Sequence, residues 1–252
     1  MVRDNSSPLM RLNKAIAHSG LCSRRKAEKL IQQGQVKVND SIVNDLGTKI
    51  HPESDCVLVN NQPLPEYNRH PALIALHKPV QVVSTLDDPQ NRKTVVDLLS
   101  NDLHKRHLVP VGRLDYMSEG LLLMSSDGEL THRLSHPRWH IHKKYRVLVK
   151  GRIVQSKLKK MRQGMRLNDK EKLSPVQVNV VQRVSEQKAW LEMTLFQGLN
   201  RQIRRMCEDN DWIILRLIRI SQGPVKLGNL RAGHYRFLSQ EEENNLRLQA
   251  GL

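Results

Sequence analysis

The run Gly112-Arg-Leu-Asp115 places a carboxylate at a tight turn, where an aspartate can do one of two things. It can accept a backbone N–H and simply close the turn. Held ionised beside an electrophilic carbon or an acidic C–H, it can serve instead as a nucleophile or a base. Burial alone raises a carboxyl pKa, so the chemical role asks for a guanidinium close by. Residues 199–209 offer three: a helix there carries Ile203, Met206 and Cys207 on one side and Arg201, Arg204 and Arg205 toward the other, the layout of an ordinary amphipathic surface helix. Tyr145, in Lys144-Tyr145-Arg146-Val147, reads on its own as a core tyrosine on a strand. Despite 11 histidines the sequence has no Gly-x-Gly-x-x-Gly, no P-loop and no metal-ligand spacing. Neither a metal nor an organic cofactor is therefore expected. Cys22, Cys56 and Cys207 are odd in number and far apart, which argues for reduced, packing thiols.

Apolar spacing predicts the elements that must position these groups. Two short helices are expected in 11–33. Leu12, Ile16 and Ala17 share a face of the first, and Ala27, Leu30 and Ile31 a face of the second, with Ser23 as N-cap and Gly34 as stop. Short alternating runs follow at Val36/Val38, Ile42/Val43 and Val57/Val59, with a turn at Asn39-Asp40. Pro63, Pro65 and Pro71 bracket a polar linker. Beyond it, strands are expected at Leu73 to Leu76, Leu121 to Met124, Tyr145 to Val149, Val176 to Val181, Trp190 to Phe196 and Ile213 to Ile220, and helices at Thr94 to Leu99, Gly128 to Leu134, Gln155 to Gly164 and Leu199 to Asp209. The class is α+β: a small αα-β module at 10–64 after a flexible start at 1–9, a linker at 65–72, a mixed α/β domain on a mainly antiparallel sheet at 73–240, and a C-terminal tail at 241–252, with Gln240 to Leu252 readable as a terminal helix or a frayed end.

The chain of 252 residues carries 41 Lys and Arg against 25 Asp and Glu, a net charge of +16. Such a field attracts polyanions, nucleic acid first. Arg11, Lys14, Arg24 and Arg25 form one cationic face on the helix pair, and the basic run His140 to Lys172 forms a second candidate surface or a solvated face. No stretch approaches the roughly 18 apolar residues of a membrane span, and the N-terminus shows no export or import pattern, so a cytoplasmic protein is expected.

Several motifs carry a resemblance that composition does not. Met10-Arg-Leu-Asn-Lys, Ser23-Arg-Arg-Lys-Ala-Glu and Gly34 to Asn39 resemble the S4-type RNA-binding module. Leu76-His-Lys-Pro79 with Val83-Ser-Thr85, Gly112-Arg-Leu-Asp115 with Gly120-Leu-Leu-Leu123 and Asp127-Gly128, and Gly198-Leu-Asn-Arg-Gln-Ile-Arg-Arg-Met-Cys207 with Leu217-Ile-Arg219 resemble the ribosomal pseudouridine synthases of the RsuA/RluB/RluE/RluF type, closest to the large-subunit members. The likeness spans residues 10 to 238.

The resemblance implies isomerisation of a uridine without cofactor: Asp115 is the essential carboxylate, Arg204 its charge partner, and Tyr145 a stacking and proton-transfer residue. The substrate is 23S rRNA, with 16S rRNA and tRNA open as alternatives, free or in a ribosomal assembly intermediate. Arg11, Lys14, Arg24, Arg25, Lys78, Arg113, Arg201 and Arg205 are implied RNA contacts, and the protein a monomer. Two positions depart from the family pattern. Tyr116-Met117 replaces a small or charged residue followed by Asp or Asn, and Gln81 stands where glycine is usual, which puts the backbone of that loop in question. A non-catalytic RNA-binding assembly factor is the rival reading. An RNA methyltransferase would need a glycine-rich cofactor site, and a DNA regulator a recognition helix; neither is found.

Overall fold

The computed structural model describes residues 9–65, 71–168 and 171–252. It divides between Pro71 and Ala72 into two compact units. The proposed linker falls largely on 66–70, outside the described residues.

In the first unit, β1 (Met10–Arg11) leads into α1 (Leu12–His18), and α2 (Arg24–Gln32) follows. Ser23 caps α2 by accepting the Lys26 N–H, and Gly34 leaves it at φ +70. Leu12, Ala15, Ile16, Ala27 and Ile31 are buried against Val36, Val57 and Val59, while Ala17, expected inside, is only partly covered. The sheet orders as β3 (Ser41–Ile42), β2 (Val36–Val38), β5 (Val57–Val59), β6 (Gln62–Pro63), with Asn39 and Asp40 both in the left-handed region at the β2–β3 turn. β4 (Lys49–Ile50) pairs with β1. Between the helices, Asn13 Nδ2 donates to Glu28 at 2.7 Å.

The second unit is built on one sheet whose main path runs β11 (Gln177–Ser185), β12 (Lys188–Leu195), β10 (Lys143–Lys150), β13 (Ile213–Gln222), β9 (Glu119–Ser125), β7 (Leu73–Lys78), β15 (Tyr235–Phe237). β8 (Val109–Pro110) and β14 (Val225–Lys226) pair with β9 and β13. Among the described residues every pairing of named strands is antiparallel except β9 with β13, which run parallel at Glu119/Ile218 and Gly120/Arg219. That junction joins the two halves of the sheet. β9 is covered on both faces: Leu121 and Leu123 pack with Leu130 and Leu246, and Leu122 and Met124 with Ile74, Val95 and Leu103. This explains its continuous apolar run, since period-2 alternation marks only half-buried strands.

The helices are α3 (Asn101–His104), α4 (Gly128–Ser135), α5 (Gln155–Arg162), α6 (Gln202–Glu208) and α7 (Gln240–Gln249). Two sequence expectations need correction. Thr94 to Leu99 makes only a 3-10 turn at Val96–Leu98, because Asp97 ties back to the Thr94 N–H and hydroxyl. The expected helix from Leu199 begins at Gln202, since Arg201 sits at φ +47. Of the two readings of 240–252, the structure has the terminal helix: Ser239 and Glu242 form a capping box, Leu246 and Ala250 are fully buried, and Arg247 pairs with Asp127 at 2.9 Å.

Candidate active site

Asp115 lies in the turn that carries the chain from β8 into β9, and backbone and hydroxyl contacts hold that turn on three sides. Ser84 Oγ donates to the Leu114 carbonyl at 2.8 Å and accepts its N–H at 3.1 Å. The Gln81 N–H donates to the Tyr116 carbonyl at 2.7 Å, and the Ser118 N–H to the Asp115 carbonyl. From α6, Arg204 reaches across: Nε lies 3.3 Å from Asp115 Oδ2, and Nη2 donates to the Met117 carbonyl at 2.8 Å and to Ser118 Oγ at 2.9 Å. One guanidinium thus neutralises the carboxylate and fixes the loop that presents it.

Why α6 can do this is legible in its composition. Ile203, Met206 and Cys207 are buried in the β10–β13 core, so the intervening Arg204 is aimed at the β9 side. Burial pushes the Cys207 thiol up to about 12, leaving it an inert packing group.

Asp115 and Arg204 open onto a cavity of about 150 Å³. Its floor follows from strand alternation. Lys143 and Tyr145, two apart on β10, face it beside Leu217 and Arg219, two apart on β13, with Tyr145 and Arg219 directly paired. Arg113 and Arg201 line its exposed side. Asp115 is the one acidic residue of the lining among the described residues, against five Lys or Arg. Gly120, at φ +109, makes the arrangement possible, because a Cβ there would stand 2.3 Å from the Arg219 carbonyl oxygen.

Comparison with known proteins gives the family. The family model for RNA pseudouridylate synthase matches residues 72–209 and that for the S4 domain residues 10–56. The chain belongs to the S4-containing RNA pseudouridine synthases. An uncharacterized RNA pseudouridine synthase of Aquifex aeolicus is 41% identical over 245 residues, 96% of each chain. Ribosomal large subunit pseudouridine synthase B of Bacillus subtilis is 38% identical over 241 residues, 95% of this chain and 96% of that one. A crystal structure of a pseudouridylate synthase superposes with TM-score 0.67 at 28% identity, covering 94% of this chain and 99% of that one. The synthase is an isomerase acting on RNA.

Its sequence-derived site residues separate into groups. Asp115, Tyr145, Arg204, Arg113 and Arg201 come together at one cavity. Arg205 turns aside to pair with Glu171. Lys78 does not present itself to RNA: it is fully buried, and its ammonium donates to the carbonyls of Pro79 and Val82 at 2.8 Å each, pinning the loop that holds the Asp115 turn. Burial lowers its pKa to about 8, against the opposing pull of Asp115 and Glu119. In the S4 unit, Arg11, Arg24 and Arg25 are exposed and Lys14 partly covered. Within the basic run after His140, Lys144 pairs with Glu192, Lys157 with Asp211, and Arg162 binds the Val178 carbonyl.

Sequence reading did not single out Lys143 and Arg219 as site residues. The available signal was their spacing of two from Tyr145 and Leu217, which puts each pair on one face of its strand. Gln81 holds φ +61, the left-handed conformation a glycine would take most easily, so its loop keeps a glycine-type backbone without a glycine.

Proposed function

We propose that the synthase converts a uridine of large-subunit ribosomal RNA to pseudouridine, with Asp115 as the reacting carboxylate. The observation that carries this reading is a lone carboxylate in a cavity whose other charged lining residues, among those described, are all cations, with Arg204 bracing it and Tyr145 on the same lining. The large-subunit assignment rests on the relative from Bacillus subtilis. The reaction breaks the C1′–N1 bond, turns the base and joins C5 to C1′. Asp115 attacks the sugar or base carbon or removes a sugar proton, Arg204 balances its charge and aims it, and Tyr145 stacks on the base and assists loss of the C5 proton. A stacked uridine must first be extruded from the RNA, at a cost of a few kcal/mol that phosphate contacts offset. Arg113 and Arg201 at the cavity mouth, and Arg11, Lys14, Arg24 and Arg25 in the S4 unit, suit that role; such contacts position the RNA without reading its sequence.

On this reading the synthase works as a monomer in the cytoplasm, on free rRNA or an assembly intermediate. Among the described residues no helix is long and apolar enough to cross a membrane. The test is tritium release from large-subunit rRNA, small-subunit rRNA and tRNA labelled at uridine C5, with Asp115→Asn as control. Release by the native protein alone, from large-subunit rRNA alone, is expected. Release from another RNA moves the substrate, and tight binding without release from any RNA, partly assembled particles included, favours the non-catalytic rival.

A further inference from the structure

Arg219 is a large cationic side chain only 2% exposed to solvent, yet its guanidinium is not satisfied by the protein. Its Nε donates to the Leu121 carbonyl at 2.6 Å, while Nη2 is buried and has no partner. A buried polar nitrogen left without a partner is uncommon and asks for a reason. Beside it, Lys143 Nζ uses one of its three donors on the Ile141 carbonyl at 3.1 Å. Both residues line the cavity that holds Asp115, and neither makes a salt bridge among the described residues. Arg204 is already committed to Asp115, Met117 and Ser118, and Arg113 and Arg201 stand at the solvent side. The floor of the cavity therefore offers spare N–H donors and uncompensated positive charge at one place.

We propose that Lys143 and Arg219 hold the negative charge that the uracil acquires when it leaves the ribose. This rests on the pseudouridine synthase reading and deepens it. When C1′–N1 breaks, its electron pair departs with the base, giving a uracil anion with charge shared over N1, O2 and O4. The sugar side is completed by a bond from the Asp115 carboxylate to C1′ or by loss of a sugar proton to it. The base then turns and C5 forms the new bond to C1′ as the Asp115–C1′ bond breaks or the abstracted proton returns to the sugar; the hydrogen on C5 leaves as a proton and N1 takes one up. Between these steps the uracil has no covalent tie, so something must retain it and stabilise its charge while it rotates. Preorganised donors in a site shielded from water do this far better than water does. A lysine and an arginine side by side on the floor accept charge at O2 or O4 in either orientation of the base. Burial and the neighbouring Arg219 lower the Lys143 pKa to about 8, so it still carries its proton at neutral pH.

The test is single-turnover kinetics of the full-length protein with Lys143→Met, Lys143→Arg and Arg219→Lys, alongside native protein and Asp115→Asn. RNA affinity and thermal melting are measured on the same preparations. Lys143→Met should lose about 100-fold in rate with RNA affinity changed less than about threefold, and Lys143→Arg should recover most of the loss. Arg219→Lys keeps the charge but shifts it, and should lose about tenfold. A second arm uses RNA with 5-fluorouridine at the target, followed by disappearance of intact 5-fluorouridine from nucleoside digests. Fluorine makes the base more acidic and its anion less dependent on external charge, so the Lys143→Met deficit should shrink to less than about tenfold. An equal deficit on both bases, or weakened RNA affinity with an unchanged rate, overturns the proposal and makes Lys143 a phosphate contact. Native protein that releases no tritium overturns the underlying reaction, whereas native activity matched by Lys143→Met overturns this assignment alone.

Discussion

Replacing Gly120 by alanine should damage stability and chemistry together, because one atom would intrude where the two halves of the sheet meet. A Cβ at Gly120 would stand 2.3 Å from the Arg219 carbonyl oxygen and 2.6 Å from its nitrogen, both backbone atoms that cannot rotate away. Ordinary carbon contacts lie near 3.5 Å, so β9 and β13 would have to separate by roughly 1 Å. Gly120 also sits at φ +109, which an L-residue adopts only with strain on the order of 1–2 kcal/mol. Overpacking a closed core adds about 1–3 kcal/mol, for a combined loss of about 2–5 kcal/mol. At about 2–4 °C per kcal/mol for a unit of this size, the melting temperature should fall by roughly 4–20 °C. The same displacement moves Arg219 and the Asp115 turn relative to Arg204, and a 1 Å misplacement costs about 100-fold in rate. Calorimetry and tritium release, measured on the same folded sample, are the assays. A variant that melts within about 2 °C of the native protein and keeps at least half its activity would refute the reasoning.

Four further perturbations separate structural from chemical roles. Lys78 has a pKa of about 8 in the fold against 10.5 free, so between those pH values the unfolded chain binds more protons and stability rises with pH. Relative to Lys78→Met, the native protein should gain at most about 3 kcal/mol across that window in urea titrations, and a flat difference would contradict the burial of its charge. Gln81→Gly relieves the left-handed strain while keeping the N–H donated to Tyr116, so the urea midpoint should rise by up to about 1 kcal/mol equivalent with tritium release unchanged. Arg204→Lys leaves a cation near Asp115 but cannot also serve Met117 and Ser118, so activity should drop at least about 100-fold with little change in melting. Leu246→Ala empties a fully buried site in α7 and should cost about 2–5 kcal/mol, whereas a true tail would lose nothing.

What the sequence disclosed and what it hid divide along a physical line. Elements whose apolar spacing serves a single core were readable: α2 with its Ser23 cap and Gly34 stop, α4, α5 and the six long strands all lie where the pattern puts them. Motif order, rather than any single residue, brought Asp115 and Arg204 into one reading, and the structure brings their side chains to 3.3 Å. Hidden were features in which an intervening contact overrides a local preference. Lys78 carries a charge, so its sequence reads as surface; two backbone carbonyls, unseen in a linear pattern, draw it inside. Residues 240–252 have a polar composition that leaves a terminal helix and a frayed tail both open; a capping box and one leucine aimed between α4 and β9 decide for the docked helix. Lys143 and Arg219 were present in the sequence as members of a basic run and a strand motif. Their significance emerges only when Gly120 lets the β9 backbone close against Arg219 and the two strands set both cations on the floor below Asp115. The chemistry of the site thus depends on a glycine as much as on any charged group, since without that close approach the carboxylate and the cations opposite it would not share one cavity.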